Sequence, residues 1–229
     1  MGIVRSWIRF CSGILAGAIL LAGAAGCNQG FGAYSLGVGN TPNKPPGTSF
    51  RVLGDVGTPF SAIIYDATSS WTLQGVIPED VIVVNANLPI EMIVTKQAAG
   101  NQLLSVELTV GFTVSEAAST SAPFGTATVQ TGVAHPGFAA PPPKADPDIR
   151  FFVKGPMNER FTGMVEDTQQ GYIISDRAPA LFLFNQPVGK VDGIFNQIQN
   201  FGPFVVDLII NGQVVASATG GPTLSIKQP

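Results

Sequence analysis

The sequence predicts an all-β protein made of two tandem antiparallel β-sandwich-like (Ig-like) units of about 80 residues each. Three observations support this. Apolar and polar residues alternate in several segments, turn residues separate the segments at spacings of roughly 8 to 12 residues, and the second half of the chain resembles the first. Because helical periodicity is scarce, we expect few helices or none.

The internal repeat consists of matches that keep the same order and nearly constant spacing. The segment Phe50 to Gly54 recurs as Phe151 to Gly155. Further matches follow in order: Phe60 with Phe161, Asp66 with Asp167, Trp71 with Tyr172, Pro78 with Pro179, Val81 to Asn85 with Leu181 to Asn185, and Val106 to Val110 with Val206 to Ile210. We therefore place the first unit at residues 50–130 and the second at 151–229.

Periodicity assigns strands within each unit. Val106, Leu108 and Val110 alternate with polar residues, which predicts a strand with one apolar face. The runs Val81 to Val84 and Leu181 to Phe184 are continuously apolar, as in strands covered on both faces. We also favour strands over helices for the stretches 90–96 and 191–198. Each unit then has about seven strands.

The dipeptide Asn211-Gly212 is the strongest local signal in the chain. It separates two apolar segments, and a type I′ hairpin turn requires positive φ at both central residues. We predict a two-residue hairpin there. The flanking strands are candidates for a sheet edge that accepts a partner strand.

The first 26 residues are interpreted as a signal peptide. Arg5 and Arg9 supply the positive start, an uncharged run follows, and small residues lead to Cys27. Ala25, Gly26 and Cys27 resemble the lipobox of bacterial lipoproteins, although Ala24 stands where that family usually has leucine. The resemblance covers only the leader. It implies cleavage before Cys27, a lipidated Cys27, and attachment of the body to a membrane of the bacterial cell envelope.

Two alternatives use the same residues. An ordinary signal peptidase would cut after Ala24, with Ala22 and Ala24 as the small pair. Alternatively, the uncharged run would remain as a membrane anchor, since it just reaches the roughly 18 residues that a span needs.

Charge and cysteine content exclude several classes of function. Removal of the leader leaves ten basic and fifteen acidic residues, so nucleic acid is not an expected partner. Cys11 lies in the leader and Cys27 is the only other cysteine. The mature chain therefore has no internal disulfide and no thiol-based metal site.

Two segments rich in glycine and proline separate these parts. Residues 27–49 have the composition of a flexible tether. Residues 131–150 form a proline-rich linker, either a spacer between the units or a segment along the surface of one joint body. The only histidine, His135, lies in this linker and is interpreted as a solvated turn residue.

No catalytic set is recognisable, so we expect a protein that is not an enzyme and has no cofactor and no metal. Carboxylates are the remaining groups that could act as a pair in catalysis. In a strand, however, the side chains of adjacent residues point to opposite faces of the sheet. The adjacent pairs are Glu79-Asp80 and Glu166-Asp167. Asp66 and Asp167 suit the capping of turns. Asp146 and Asp148 offer Ca²⁺ only two of the roughly six to eight oxygens that it needs.

Aromatic residues are numerous enough to fill two cores. Most of them are expected to be buried: Phe50, Phe60, Trp71, Phe112, Phe161, Tyr172, Phe182 and Phe184. Trp71 and Tyr172 would instead be candidate binding residues if they were exposed on equivalent strands.

These observations predict an envelope lipoprotein with a non-catalytic binding or assembly role. Its expected partners are the lipid bilayer, through lipidated Cys27, and an envelope protein or glycan. One alternative is a carboxylate-dependent hydrolase of envelope polysaccharide, with two acids about 5 to 9.5 Å apart in a groove. The other is a purely structural spacer.

Overall fold

The computed structural model describes residues 43–44, 47–111, 113–131, 142–199 and 202–229. These residues form β-strands and no helix, which confirms the predicted all-β class. In those ranges there is accordingly no helix of the length and apolarity that crossing a membrane requires. Cys27, the signal peptide, Phe112 and His135 lie outside the described residues.

The strands of the first half are β1 (Asn43–Lys44), β2 (Thr48–Gly54), β3 (Pro59–Tyr65), β4 (Ser70–Val76), β5 (Glu79–Val84), β6 (Glu91–Lys96), β7 (Leu104–Val110), β8 (Thr113–Thr120) and β9 (Thr126–Gln130). Those of the second half are β10 (Ile149–Lys154), β11 (Arg160–Glu166), β12 (Gly171–Arg177), β13 (Ala180–Phe184), β14 (Asp192–Gln197), β15 (Phe204–Ile210), β16 (Gln213–Gly220) and β17 (Thr223–Lys227). β6 and β14 confirm the choice of strand over helix in both places.

Three sheets organise these strands. A central sheet has the order β16-β15-β10-β13-β5-β2-β7-β8 and takes four strands from each half. One outer sheet, β4-β3-β6-β9, belongs to the first half, and the other, β1-β12-β11-β14-β17, comes mainly from the second. Asn40–Pro229 is one compact unit. The halves therefore share a sheet, and no separate Ig-like domains are seen among the described residues.

The halves meet at β5 and β13, which pair in parallel from Ala180 opposite Asp80 to Phe184 opposite Val84. The central strand order is symmetrical about this pair. Val81 and Val83 face the core of the first half, while Ile82 and Val84 face that of the second. Both strands are consequently covered on both faces, as their continuous apolar sequences predicted.

Each core lies between half of the central sheet and one outer sheet. The second core is rich in phenylalanine, and Phe151, Phe161 and Phe195 are in ring contact at centroid distances of 5.6 to 6.3 Å. Trp71 is 1% exposed in the first core and Tyr172 is 2% exposed in the second. This corrects the binding role considered for these two residues, because that role required exposed rings.

The segments that precede the two halves cross over reciprocally. β1 precedes the first half but pairs in parallel with β12 of the second, at Gly171 and Tyr172. Within the predicted linker, Lys144 forms a parallel bridge to Ser70 of β4, supported by hydrogen bonds of 2.9 and 3.0 Å on either side. The described end of the proline-rich linker is therefore held against the body, which was one of the two arrangements expected.

The predicted turns are present. Asn211 and Gly212 have φ values of 50° and 79° and join β15 to β16, which confirms the hairpin. Asp66 accepts hydrogen bonds from the Thr68 and Ser69 amides, and Asp167 accepts them from Gln169 and Gln170. Both aspartates cap turns, as their positions after strands predicted.

Candidate functional site

Two pockets flank the start of β5, and Glu79 and Pro179 line both of them. The first, which we call the acidic pocket, has a volume of about 180 Å³, and its other lining residues include Arg51, Asp80, Asn158 and Arg177. The second, which we call the Phe152 pocket, has a volume of about 480 Å³. Its lining consists of Gln74, Gly75, Val76, Glu79, Arg150, Phe152, Pro179, Leu181, Ile209 and Gly212.

The acidic pocket is organised by Arg51 and Asp80, which lie opposite each other on β2 and β5. The Arg51 Nε donates to Asp80 Oδ1 at 2.9 Å, and its Nη2 contacts Oδ2 at 3.4 Å. Asp176 of β12 reaches the same carboxylate and shares a hydrogen bond with it. Burial and the neighbouring charge of Asp80 raise the pKa of Asp176. Asp176 therefore keeps its proton to a higher pH than an exposed aspartate does, and Arg51 pairs with the Asp80 carboxylate.

Glu79 points to the opposite face from Asp80, as alternation in a strand predicts. Its carboxylate lies against Gly75 so closely that a Cβ at that position would stand 1.9 Å from Oε2. Burial raises the pKa of Glu79 to about 7, opposed by a hydrogen bond from the Val76 amide and assisted by the charge of Asp80. Glu79 and Asp80 both line the acidic pocket, but their side chains leave β5 on opposite faces.

The two pockets occupy equivalent places in the repeat. In the first half, Arg51 stands between Asp80 on β5 and Glu107 on β7. In the second half, Phe152 stands between Leu181 on β13 and Asp207 on β15. One copy of the same sheet position thus holds an ion pair, and the other holds an aromatic ring beside a leucine.

The aligned segments Phe50 to Gly54 and Phe151 to Gly155 already contain this difference, so the sequence offered a signal for the Phe152 pocket. It offered none for Asp176, whose proximity to Asp80 depends on how β12 packs over β5. Asp148, considered as a Ca²⁺ ligand, instead binds Arg150 at 2.6 Å. The described part of the chain has no cluster of three or more histidine, cysteine or acidic residues suited to a metal.

The two edges of the central sheet form a second candidate surface. β8 and β16 are eight-residue edge strands that follow equivalent hairpins. In β8, Glu116 accepts a hydrogen bond from the Gln130 amide of β9 and so connects the two sheets at their edge. Its equivalent in β16 is Ala216, and β16 contains no charged residue and no proline. Val214 and Val215 are 58% and 39% exposed.

Comparison with protein-family models, curated proteins and solved structures found no match to this chain.

Proposed function

We propose that this protein is a membrane-anchored binding or assembly protein of the bacterial cell envelope, without catalytic activity, that adds a strand of a protein partner to β16. The observation that carries the proposal is the uncharged edge of this strand, which pairs with no further strand among the described residues. The anchor is lipidated Cys27, and the partner is an envelope protein. A glycan bound to the same surface is the alternative ligand.

Edge strands expose backbone donors and acceptors that pair readily with another chain, and proteins usually protect them with charges or proline. β16 has neither protection, whereas the equivalent edge β8 carries Glu116. Strand addition draws its affinity from main-chain hydrogen bonds and its specificity from side chains beside the edge. Val214 and Val215 supply exposed apolar side chains for that purpose.

A matched pair of lysine substitutions tests the edge. Thr219 in β16 and Ser119 in β8 are equivalent positions near the ends of their strands. Proteins co-purified from native membranes should be lost with Thr219→Lys and retained with Ser119→Lys. Equal recovery with both variants would refute strand addition at β16, and recovery of no partner by the wild-type protein would favour the structural spacer.

The anchor requires a separate test. Labelling with radioactive palmitate should be abolished by Cys27→Ser and should be unaffected by Cys11→Ser. Unchanged labelling of Cys27→Ser would contradict lipidation at this residue.

A carboxylate-dependent hydrolase of envelope polysaccharide is the second candidate, favoured by the raised pKa values of Glu79 and Asp176 beside the acidic pocket. The geometry speaks against it. Asp80 and Asp176 share a hydrogen bond, which is closer than the roughly 5 to 9.5 Å between the acids of glycosidases. Polysaccharide hydrolysis that is lost in Asp176→Asn and kept in Asp146→Asn would establish the enzyme and overturn the non-catalytic proposal.

A further inference from the structure

The Phe152 pocket adjoins the hairpin that joins β15 to β16, since Ile209 and Gly212 are among its lining residues. It lies where strand β4 of the first outer sheet ends beside the face of β10 and β15 that points away from the second core. Val76, Phe152, Leu181 and Ile209 supply apolar walls. Val76 is 51% exposed at the mouth, so part of this apolar surface faces solvent.

Arg150, the cation that lines the pocket, is already paired within the protein. Arg150 donates to both carboxylate oxygens of Asp148, at 2.8 and 2.6 Å, and to the Thr72 carbonyl oxygen at 3.1 Å. Asp148 is 2% exposed, so the carboxylate that holds Arg150 in place is buried beneath the pocket lining. The Glu79 side chain accepts a hydrogen bond from the Val76 amide and lies against Gly75. Below its pKa of about 7, Glu79 is therefore mostly uncharged, and the Lys154 ammonium above the Phe152 ring is paired with Asp207.

The size of the pocket indicates a small molecule rather than a single side chain. Ligand sites typically enclose about 300 to 1,000 Å³, and a dry cavity of about 150 Å³ is enough for benzene. The volume here is about 480 Å³. Apolar walls with a few polar groups are also the usual lining of such sites.

We propose that the Phe152 pocket binds an uncharged small molecule made mostly of hydrocarbon. The equivalent position in the first half holds Arg51 and Asp80. The fold by itself therefore does not require apolar residues at this place in the sheet. The second half instead has Phe152 and Leu181. A hydrocarbon ligand packed against them gains about 25 cal/mol for each Å² of apolar surface removed from water.

A dye titration with matched variants tests this site in the full-length protein. Nile red, an uncharged apolar dye, should bind with saturation and gain fluorescence. Ile209→Trp narrows the pocket and should weaken binding about tenfold, a change of about 1.4 kcal/mol. Thr109→Trp is the control, because Thr109 is the equivalent of Ile209 and does not line the pocket. It should leave the affinity unchanged.

A second variant and two competitors complete the test. Phe152→Arg introduces the residue that the first half has at this position, and it should weaken the dye about as much as Ile209→Trp. Dodecanol should displace the dye, and a neutral oligosaccharide should not. Absence of saturable binding, equal effects of the two tryptophan variants, or displacement by the oligosaccharide alone would each overturn the proposal. Phe152 pairs with β13 and β15 and not with β16, so the Phe152→Arg result is independent of the β16 edge.

Discussion

Replacement of Glu79 by glutamine tests whether the buried Glu79 side chain is protonated near neutral pH in the folded protein. The pKa of Glu79 is about 7 in the folded protein, because burial disfavours its charged form, compared with an ordinary value of 4.5. Between these values the folded protein keeps a proton that the unfolded chain has lost. The free energy of unfolding therefore falls as pH rises from about 4.5 to 7, and is constant in this respect above 7.

The magnitude follows from the size of the pKa difference. A pKa raised from 4.5 to about 7 corresponds to about 3 kcal/mol of unfolding free energy lost across this pH range. Asp80, whose charge acts on Glu79, remains in the variant. Glutamine does not titrate, so its own effect on stability is the same at every pH.

Urea unfolding of the Asn40–Pro229 unit at pH 4.5, 6 and 8 measures this difference. Wild type should lose about 3 kcal/mol more than Glu79→Gln between pH 4.5 and 8. Asp146→Asn, which removes an exposed carboxylate outside both pockets, serves as the control and should behave like wild type. If Glu79→Gln retained the full pH dependence of wild type, the buried and protonated Glu79 would be refuted.

Three further substitutions have expected effects on urea unfolding at pH 7. Asp66→Ala removes a fully buried carboxylate that accepts hydrogen bonds from three backbone amides and from Asn185 of the other half. It should lower the free energy of unfolding by about 3 kcal/mol. Asp55→Ala should lower it far less. Lys96→Met leaves the carbonyls of Gly100, Gln102 and Ser121 without their shared donor, and should cost about 3 kcal/mol; a small effect like that of exposed Lys190→Met would contradict this. Gly212→Ala, at a φ of 79°, should cost about 1 kcal/mol, and Gly221→Ala should cost less because no such φ occurs there. Equal losses in the two glycine variants would mean that backbone conformation is not the cause.

The sequence was sufficient to predict strands and turns because these depend on nearby residues. Alternation in Val106 to Val110 and the Asn211-Gly212 turn are local patterns, and the structure contains both features. The runs 81–84 and 181–184 indicated strands covered on both faces. They did not indicate that the two strands pair with each other, because the pairing joins residues 100 positions apart.

The site was less predictable for the same reason. Asp80 was identified as a carboxylate of interest, but its partners Arg51 and Asp176 come from two other strands, in two different sheets. No local pattern marks Asp176, which lies between Ser175 and Arg177 in an otherwise ordinary strand. Burial of Trp71 and Tyr172 similarly depends on the sheets that face them, and not on their own segments.

The reciprocal crossing of β1 and the 142–145 segment has an evolutionary consequence. Each half lends its leading segment to the outer sheet of the other, and the two central strands pair side by side, which is the arrangement of a twofold dimer with exchanged arms joined into one chain. In a homodimer, symmetry forces both subunits to carry the same residue at every position. Within a single chain that constraint is absent, so equivalent positions of the two halves can hold different residues, as Arg51 and Phe152 do.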